Sequence, residues 1–258
     1  MMNLISLSFI IFSRVVFGCN CDEPTMKSYC PSKSDFYATP WSDVTHYKQG
    51  SIVRGNSRMA TKSSFNLLGG SIEFDVDLRN SKRGVNTAVY TIAPKFGGKD
   101  VYDTSMYCDG NSNNWCVELD FVESNGKCGG ATTLHTRPGQ FPGCTGWGCA
   151  YNYLYDDAFT RFKIDIAEDG KYTVYVDGKR FTWNDIVPKP LQSDLETWVK
   201  SLKENGAVIM FSSWTGWVPL DNKCGSVASN NVLETSSFSF NNLKITGKIV
   251  QGKELSLC

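Results

Sequence analysis

Between Phe162 and Trp183 the chain alternates apolar and polar residues in short runs separated by turns, a pattern that an antiparallel sheet satisfies and a helix does not. Phe162, Ile164 and Ile166 share one side, Glu168-Asp169-Gly170 turns, and Tyr172, Val174 and Val176 alternate back. Asp177-Gly178 then turns into Phe181 and Trp183. Successive strand side chains point to opposite faces, and acid-Gly pairs between such runs are strong hairpin signals. Ser71 to Leu78 obeys the same rule, with Ile72, Phe74, Val76 and Leu78 opposed to Glu73, Asp75 and Asp77. Ala88 to Ile92, Ala207 to Trp214, and the set Phe238, Phe240, Leu243 and Ile245 mark further strands. One short helix is predicted where Leu191, Leu195, Trp198, Val199 and Leu202 recur at helical spacing ahead of Gly206, a natural C-terminal cap. Residues 19 to about 64 read as covering strands and loops with Trp41 as their one large anchor, and 93–114 and 125–145 read as loops. The expected class is an all-β sandwich of two antiparallel sheets with one short helix.

The compartment follows from the first residues and the cysteines. Leu4 to Phe12 is apolar but too short to span a bilayer, and Val16-Phe17-Gly18 suits cleavage after Gly18. Residues 1–18 are therefore expected to be a signal peptide, and 19–258 a single secreted domain. Ten cysteines, an even number, are expected to pair as five disulfides, with Cys128, Cys144 and Cys149 stapling one Gly-rich loop. With only two histidines and no paired CxxC spacing, metal ligation is disfavoured. No cofactor is expected; a structural Ca²⁺ is admissible, but no ligand cluster marks a place for it. Lys plus Arg and Asp plus Glu number 26 each, so no net field draws in nucleic acid or a membrane surface.

The run Trp115-Cys116-Val117-Glu118-Leu119-Asp120-Phe121-Val122-Glu123 carries the candidate chemistry. Val117, Leu119 and Phe121 share one strand face, and Glu118 and Asp120 the other. Glu123 breaks parity, and a regular strand would bury it unpaired in the core, at a high cost. One extra residue, a β-bulge near Phe121-Val122, returns Glu123 to the side of its partners. Retaining cleavage of a glycosidic bond needs two carboxyl groups about 5–5.5 Å apart. A straight strand would separate the two Glu Cα atoms by about 16 Å, at roughly 3.3 Å per residue. The bulge shortens that span, and two long side chains flanking a short one can close much of the rest. On this reading Glu118 is the nucleophile, Glu123 the acid/base, and Asp120 the helper that hydrogen-bonds Glu118 and helps keep Glu123 protonated.

Glu118-Leu119-Asp120-Phe121-Val122-Glu123 resembles the E-x-D-x-x-E signature of glycoside hydrolase family 16, and equally that of the family 7 cellulases. Gly69 to Val76, Asn86 to Tyr90, Phe162 to Lys179 and Ile209 to Trp217 are similar to the flanking strands of such enzymes. Tyr107-Cys108-Asp109, Glu123-Ser124-Asn125 and Thr133-Leu134-His135 lean toward family 7, whereas chain length leans toward family 16. A divergent family 16-like enzyme is taken as the best match. The resemblance implies a jelly roll, a retaining mechanism on Glu118, Asp120 and Glu123, and endo-hydrolysis of β-1,3- or mixed β-1,3/1,4-glucan by a monomer. Transglycosylation and a lectin-like wall-binding role are the alternatives. Sugar rings stack on aromatic faces, so Trp214 and Trp217, and after them Trp147, are candidate substrate platforms. The resemblance adds His135 as a contact beyond the cleaved bond, against the alternative of an exposed loop histidine without function.

Overall fold

The computed structural model describes residues 25–95, 107–138 and 143–258. The expected signal peptide, Cys19 and Cys21 lie outside the described residues. In chain order the elements begin with β1 (Lys27–Tyr29), β2 (Phe36–Ala38), β3 (Asp43–Tyr47), β4 (Gly50–Arg54) and β5 (Ser57–Asp77). There follow β6 (Asn86–Ala93), β7 (Val117–Asn125), β8 (Gly129–His135), β9 (Cys149–Leu154), β10 (Phe159–Ile166), β11 (Tyr172–Val176) and β12 (Lys179–Thr182). The chain closes with α1 (Gln192–Glu204), β13 (Ala207–Trp214), α2 (Asp221–Cys224), α3 (Asn230–Glu234) and β14 (Ser237–Gly252).

The strands form two antiparallel layers of a jelly roll. In one, β12, β11 and β10 extend from residues 71–77 of β5, with β14, β4 and β3 on its other side. In the other, residues 57–65 of β5 are followed by β13, β6, β7, β8 and β9. Long β5 and β14 run through both layers, so their hydrogen-bonded path is continuous. The change of layer in β5 falls at Gly69-Gly70. Gly69 has φ +74°, and a Cβ on Gly70 would lie 2.0 Å from the Thr246 carbonyl oxygen of β14, closer than any side chain can approach.

The alternating runs supply the filling. Ile72, Phe74, Phe162, Ile164, Val174 and Phe240 from the first layer meet Leu119, Phe121, Val122, Leu134, Ile209 and Phe211 from the second in one apolar core. Helix α1 buries Leu195, Trp198 and Leu202, and the Trp198 indole N–H donates to the Gly170 carbonyl at 3.1 Å. Its end follows the expectation, with Asn205 as cap and Gly206 next at φ +70°. The expected single helix is joined by α2 and α3, whose four and five residues are too short to show a period. No described helix is long and apolar enough to cross a membrane.

Four other expectations need correction. Trp41 does not anchor the N-terminal segment: it is 60% exposed, and Tyr29, Phe36, Val53 and Met59 are buried instead. Residues 57–64 are not a cover but the start of β5, inside the second layer. Within 125–145, read as loop, residues 129–135 form β8, paired on both sides. Of the predicted staple, Cys144–Cys149 forms, while Cys128 bonds Cys224, 96 residues on. Cys30–Cys258 and Cys108–Cys116 complete the bridges among the described residues.

Candidate active site

Strand β7 contains the bulge that its parity demands. Against β6, Glu123 pairs with Ala88 and Val122 with Val89, but Tyr90 pairs with Asp120, so Phe121 is the extra residue. Against β8, Asp120 pairs with Thr133 and Glu123 with Ala131, the same one-residue slip. Phe121 and Val122 therefore both enter the core, fully buried. Glu118, Asp120 and Glu123 emerge together on the opposite face, where they line one cleft.

That cleft, of ≈ 970 Å³, runs across the second layer from Arg58 on β5 to Asn152 on β9. It is at the upper end of the range for small-molecule sites, with room for several sugar rings. The Tyr107–Trp115 segment packs over one part of it, clipped by Cys108–Cys116. Gly110 in this segment donates its N–H to Glu118 Oε2 at 2.6 Å. A Cβ there would sit 2.5 Å from His135 Cβ and 2.9 Å from that same oxygen, so only glycine allows the approach. Glu123 accepts from Asn86 Nδ2 and Thr133 Oγ1, both at 3.2 Å.

His135 completes the cluster from buried β8, not from an exposed loop. Its Nδ1 lies 2.9 Å from the Thr145 carbonyl oxygen, which can only accept, so Nδ1 carries the hydrogen. Nε2 then points at Asp120 Oδ2, 3.4 Å away. No Lys or Arg among the described residues pairs with the three acids.

Electrostatics follow from that isolation. Burial, and then the neighbouring Asp120, push the Glu118 carboxyl well above the usual range, against the pull of His135 and the Gly110 N–H. Burial and Glu123 do the same to Asp120. Burial also raises Glu123, while His135, Asn86 and Thr133 oppose it. Three carboxyl groups buried side by side release their protons less readily than exposed acids do.

Of the predicted platforms, Trp147 (63% exposed), Trp217 (42% exposed) and the partly exposed Trp214 all line the cleft. Trp115 leans on the core and reaches the cleft as well. Sequence reasoning missed Arg58, whose guanidinium stacks 3.6 Å from the Tyr107 ring centroid, and Asn86. It also missed the Tyr107 hydroxyl's bond to Asp109 Oδ2 at 2.9 Å. The eight-residue Cys108–Cys116 spacing was the signal that this segment folds back on β7.

Two groupings of described residues have metal-like spacing. Cys144, Cys149 and Asp194 are a disulfide beside a helix-start carboxylate, and offer no thiolates. One donor atom from each of Glu118, Asp120 and His135 lies within 4.8 Å of the other two. Two carboxylates and one imidazole fall short of the six to eight oxygens typical of Ca²⁺.

No protein-family model matches the sequence, and no curated protein does. Solved structures do share the fold. The Humicola insolens endocellulase EGI aligns with TM-score 0.55 at 16% identity, over 78% of this chain and 76% of that one. A glycoside hydrolase family 7 cellobiohydrolase from Daphnia pulex gives 0.55 at 12%, over 79% of each. The Melanocarpus albomyces cellobiohydrolase complexed with cellotetraose gives 0.54 at 14%, over 78% of each. At such identities the likeness is one of fold; the structures named here go with the second of the two resemblances, family 7, and leave the preferred family 16 unconfirmed.

Proposed function

We propose that the chain is a secreted, retaining glycoside hydrolase acting on a β-glucan, with mixed-linkage β-1,3/1,4-glucan as the substrate. The observation that carries this reading is the bulge at Phe121, which sets three buried carboxyl groups on one face of a tryptophan-lined cleft. The cellulase-type fold supports a β-1,4-containing substrate, and the cleft supports endo action, being open along several strands. The four disulfides among the described residues support secretion. Every group the reaction needs comes from one chain, so a single domain acting as a monomer suffices.

Glu118 attacks the anomeric carbon while Glu123 protonates the departing glycosidic oxygen, giving a glycosyl-enzyme. Glu123, now ionised, takes a proton from water, which attacks the same carbon and frees Glu118. The cluster must therefore begin with its negative charge on Glu118 and protons on Asp120 and Glu123. The Gly110 N–H aimed at Glu118 favours that distribution, and a protonated Asp120 can face the bare Nε2 of His135.

The test is a product profile on lichenan, carboxymethylcellulose and laminarin, with the anomeric configuration of nascent products followed by NMR. Products that retain the β-configuration, fastest from lichenan, are expected; inversion would exclude the covalent route. Tight binding to one glucan with turnover of none would replace the enzyme by the lectin-like reading.

A further inference from the structure

A carboxylate at the third position of a helix ordinarily has one local task, to accept the backbone N–H at the helix start. Asp194 in α1 does this, accepting from Leu191 N at 2.7 Å. It is also almost fully buried and accepts three bonds from a different part of the chain. Thr136 Oγ1 donates to it at 2.6 Å, Arg137 Nη2 at 2.9 Å and the Cys144 N–H at 3.3 Å. Thr136 and Arg137 directly follow His135, and Cys144 directly precedes Thr145, so Asp194 ties the residues on both flanks of this stretch to α1. The fit is tight, since a Cβ on Gly143 would lie 2.2 Å from Arg137 Nη2 and 2.8 Å from Asp194 Oδ2.

The gripped segment leads directly into the cleft. Cys144 is followed by Thr145, whose carbonyl oxygen accepts from Gly148 N at 2.8 Å and faces His135 Nδ1 at 2.9 Å. The Cys144–Cys149 bridge closes the turn, and Trp147 at its tip lines the cleft. The tautomer of a histidine is set by what its other nitrogen bonds. We propose that Asp194 is a positioning residue of the cleft: by clamping Thr136, Arg137 and Cys144 it holds the Thr145 carbonyl where it keeps the hydrogen of His135 on Nδ1 and turns Nε2 to Asp120. The consequence for turnover rests on the hydrolase reading; the tautomer itself is a property of the resting protein.

Asp194→Asn tests this with little change of shape, because an amide presents an NH₂ edge to a site where donors converge. His46 is the only other histidine, so in a His46→Gln background the imidazole ¹⁵N spectrum reports His135 alone. The parent is expected to show the Nδ1–H form, and Asp194→Asn to populate the Nε2–H form, with kcat lowered about 10- to 100-fold as for other small misplacements of catalytic groups. Leu195→Ala, which loosens α1 without touching the segment, should lose stability but keep the parent spectrum. Thr136→Val removes a single donor and should shift the tautomer partway, which serves if Asp194→Asn does not fold. An unchanged His135 spectrum in the folded variant, or the same change from Leu195→Ala, would overturn the proposal. A tautomer shift in a protein that turns over no glucan would uphold the positioning role and discard the hydrolase reading alone.

Discussion

Strand β7 and the β10–β11 hairpin are written in the same alternating grammar, yet their charged residues meet opposite fates. In the hairpin, Lys163 and Asp165 stand on the solvated face and pair at 3.0 Å, both about two-fifths exposed. In β7, Glu118, Asp120 and Glu123 are all more than nine-tenths buried, and the one basic side chain they meet among the described residues is His135. The hairpin is in register throughout, whereas β7 slips by one residue against both neighbours. Alternation thus says which residues share a face; what that face meets is decided by the strands alongside. A polar face toward water contributes solubility, and one buried in a concave cleft stores reactivity at the expense of stability.

The largest difference should be in turnover. Glu118→Gln is expected to cut glucan hydrolysis on the order of 10⁴-fold or more, as loss of a nucleophile does, while the melting temperature holds or rises because a crowded buried acid is gone. Asp165→Asn in the hairpin should leave kcat/KM within experimental error. Equal losses at both positions would dissolve the distinction between the two strands.

Next comes packing, which reads the bulge without any substrate. On a regular strand one of two adjacent residues faces out and tolerates truncation. Here Phe121 and Val122 are both buried, so Phe121→Ala should cost about 3–5 kcal/mol and Val122→Ala about 2 kcal/mol in denaturant unfolding. In the hairpin the neighbours Lys163 and Ile164 should split, with Ile164→Ala costly and Lys163→Ala nearly neutral. A neutral Val122→Ala would mean that β7 is straight.

How far these features could be read from sequence varies for physical reasons. The hairpin, α1 and the β7 bulge are local: each is encoded in the periodicity of one segment, and the bulge in the wrong parity of a single acid. Strand β8 escaped because Gly129-Gly130-Ala131-Thr132-Thr133-Leu134-His135 is buried on both faces and opens with two glycines, so it shows no alternation. His135 was consequently ascribed to a loop. Arg58 reaches the cleft, and Asn86 reaches Glu123, only through the sheet order β5–β13–β6–β7, a long-range fact that periodicity does not contain. The same holds for Cys128–Cys224 and for Asp194, whose acidic side chain at a helix start had an ordinary local explanation.

The pH dependence of stability should differ in sign between the two regions. The β7 acids have raised pKa values when folded, so above the ordinary carboxylate range of about 4 the native state binds more protons than the unfolded chain. Their contribution is fully present below that range and fades as pH rises through the raised values. Asp169 in the hairpin turn is lowered, chiefly by its hydrogen bond from Lys171, and its small contribution is instead lost as pH falls below about 4. In melting scans from pH 5 to 8, Asp120→Asn should flatten the decline seen in the parent, and Asp169→Asn should leave it unchanged. A parent whose stability climbs over that interval, with no response to Asp120→Asn, would place the β7 acids in water-like surroundings.

The smallest effect should be that of the hairpin's own ion pairs, although they are shorter than the His135–Asp120 contact. Lys171 Nζ lies 2.7 Å from Asp169 Oδ2, and both side chains are half exposed. At the surface, water already solvates each charge, salt screens the pair, and holding two flexible side chains together costs entropy, so such pairs contribute about 0–1 kcal/mol. Lys171→Ala should therefore shift the unfolding midpoint barely, and less still in 1 M salt. The 3.4 Å contact between His135 and Asp120 is longer but buried, and cutting it with His135→Ala leaves a buried acid with fewer partners. Its cost should exceed that of Lys171→Ala and persist in salt. If the short exposed pair proved the stronger, distance rather than surroundings would govern the charges of this protein.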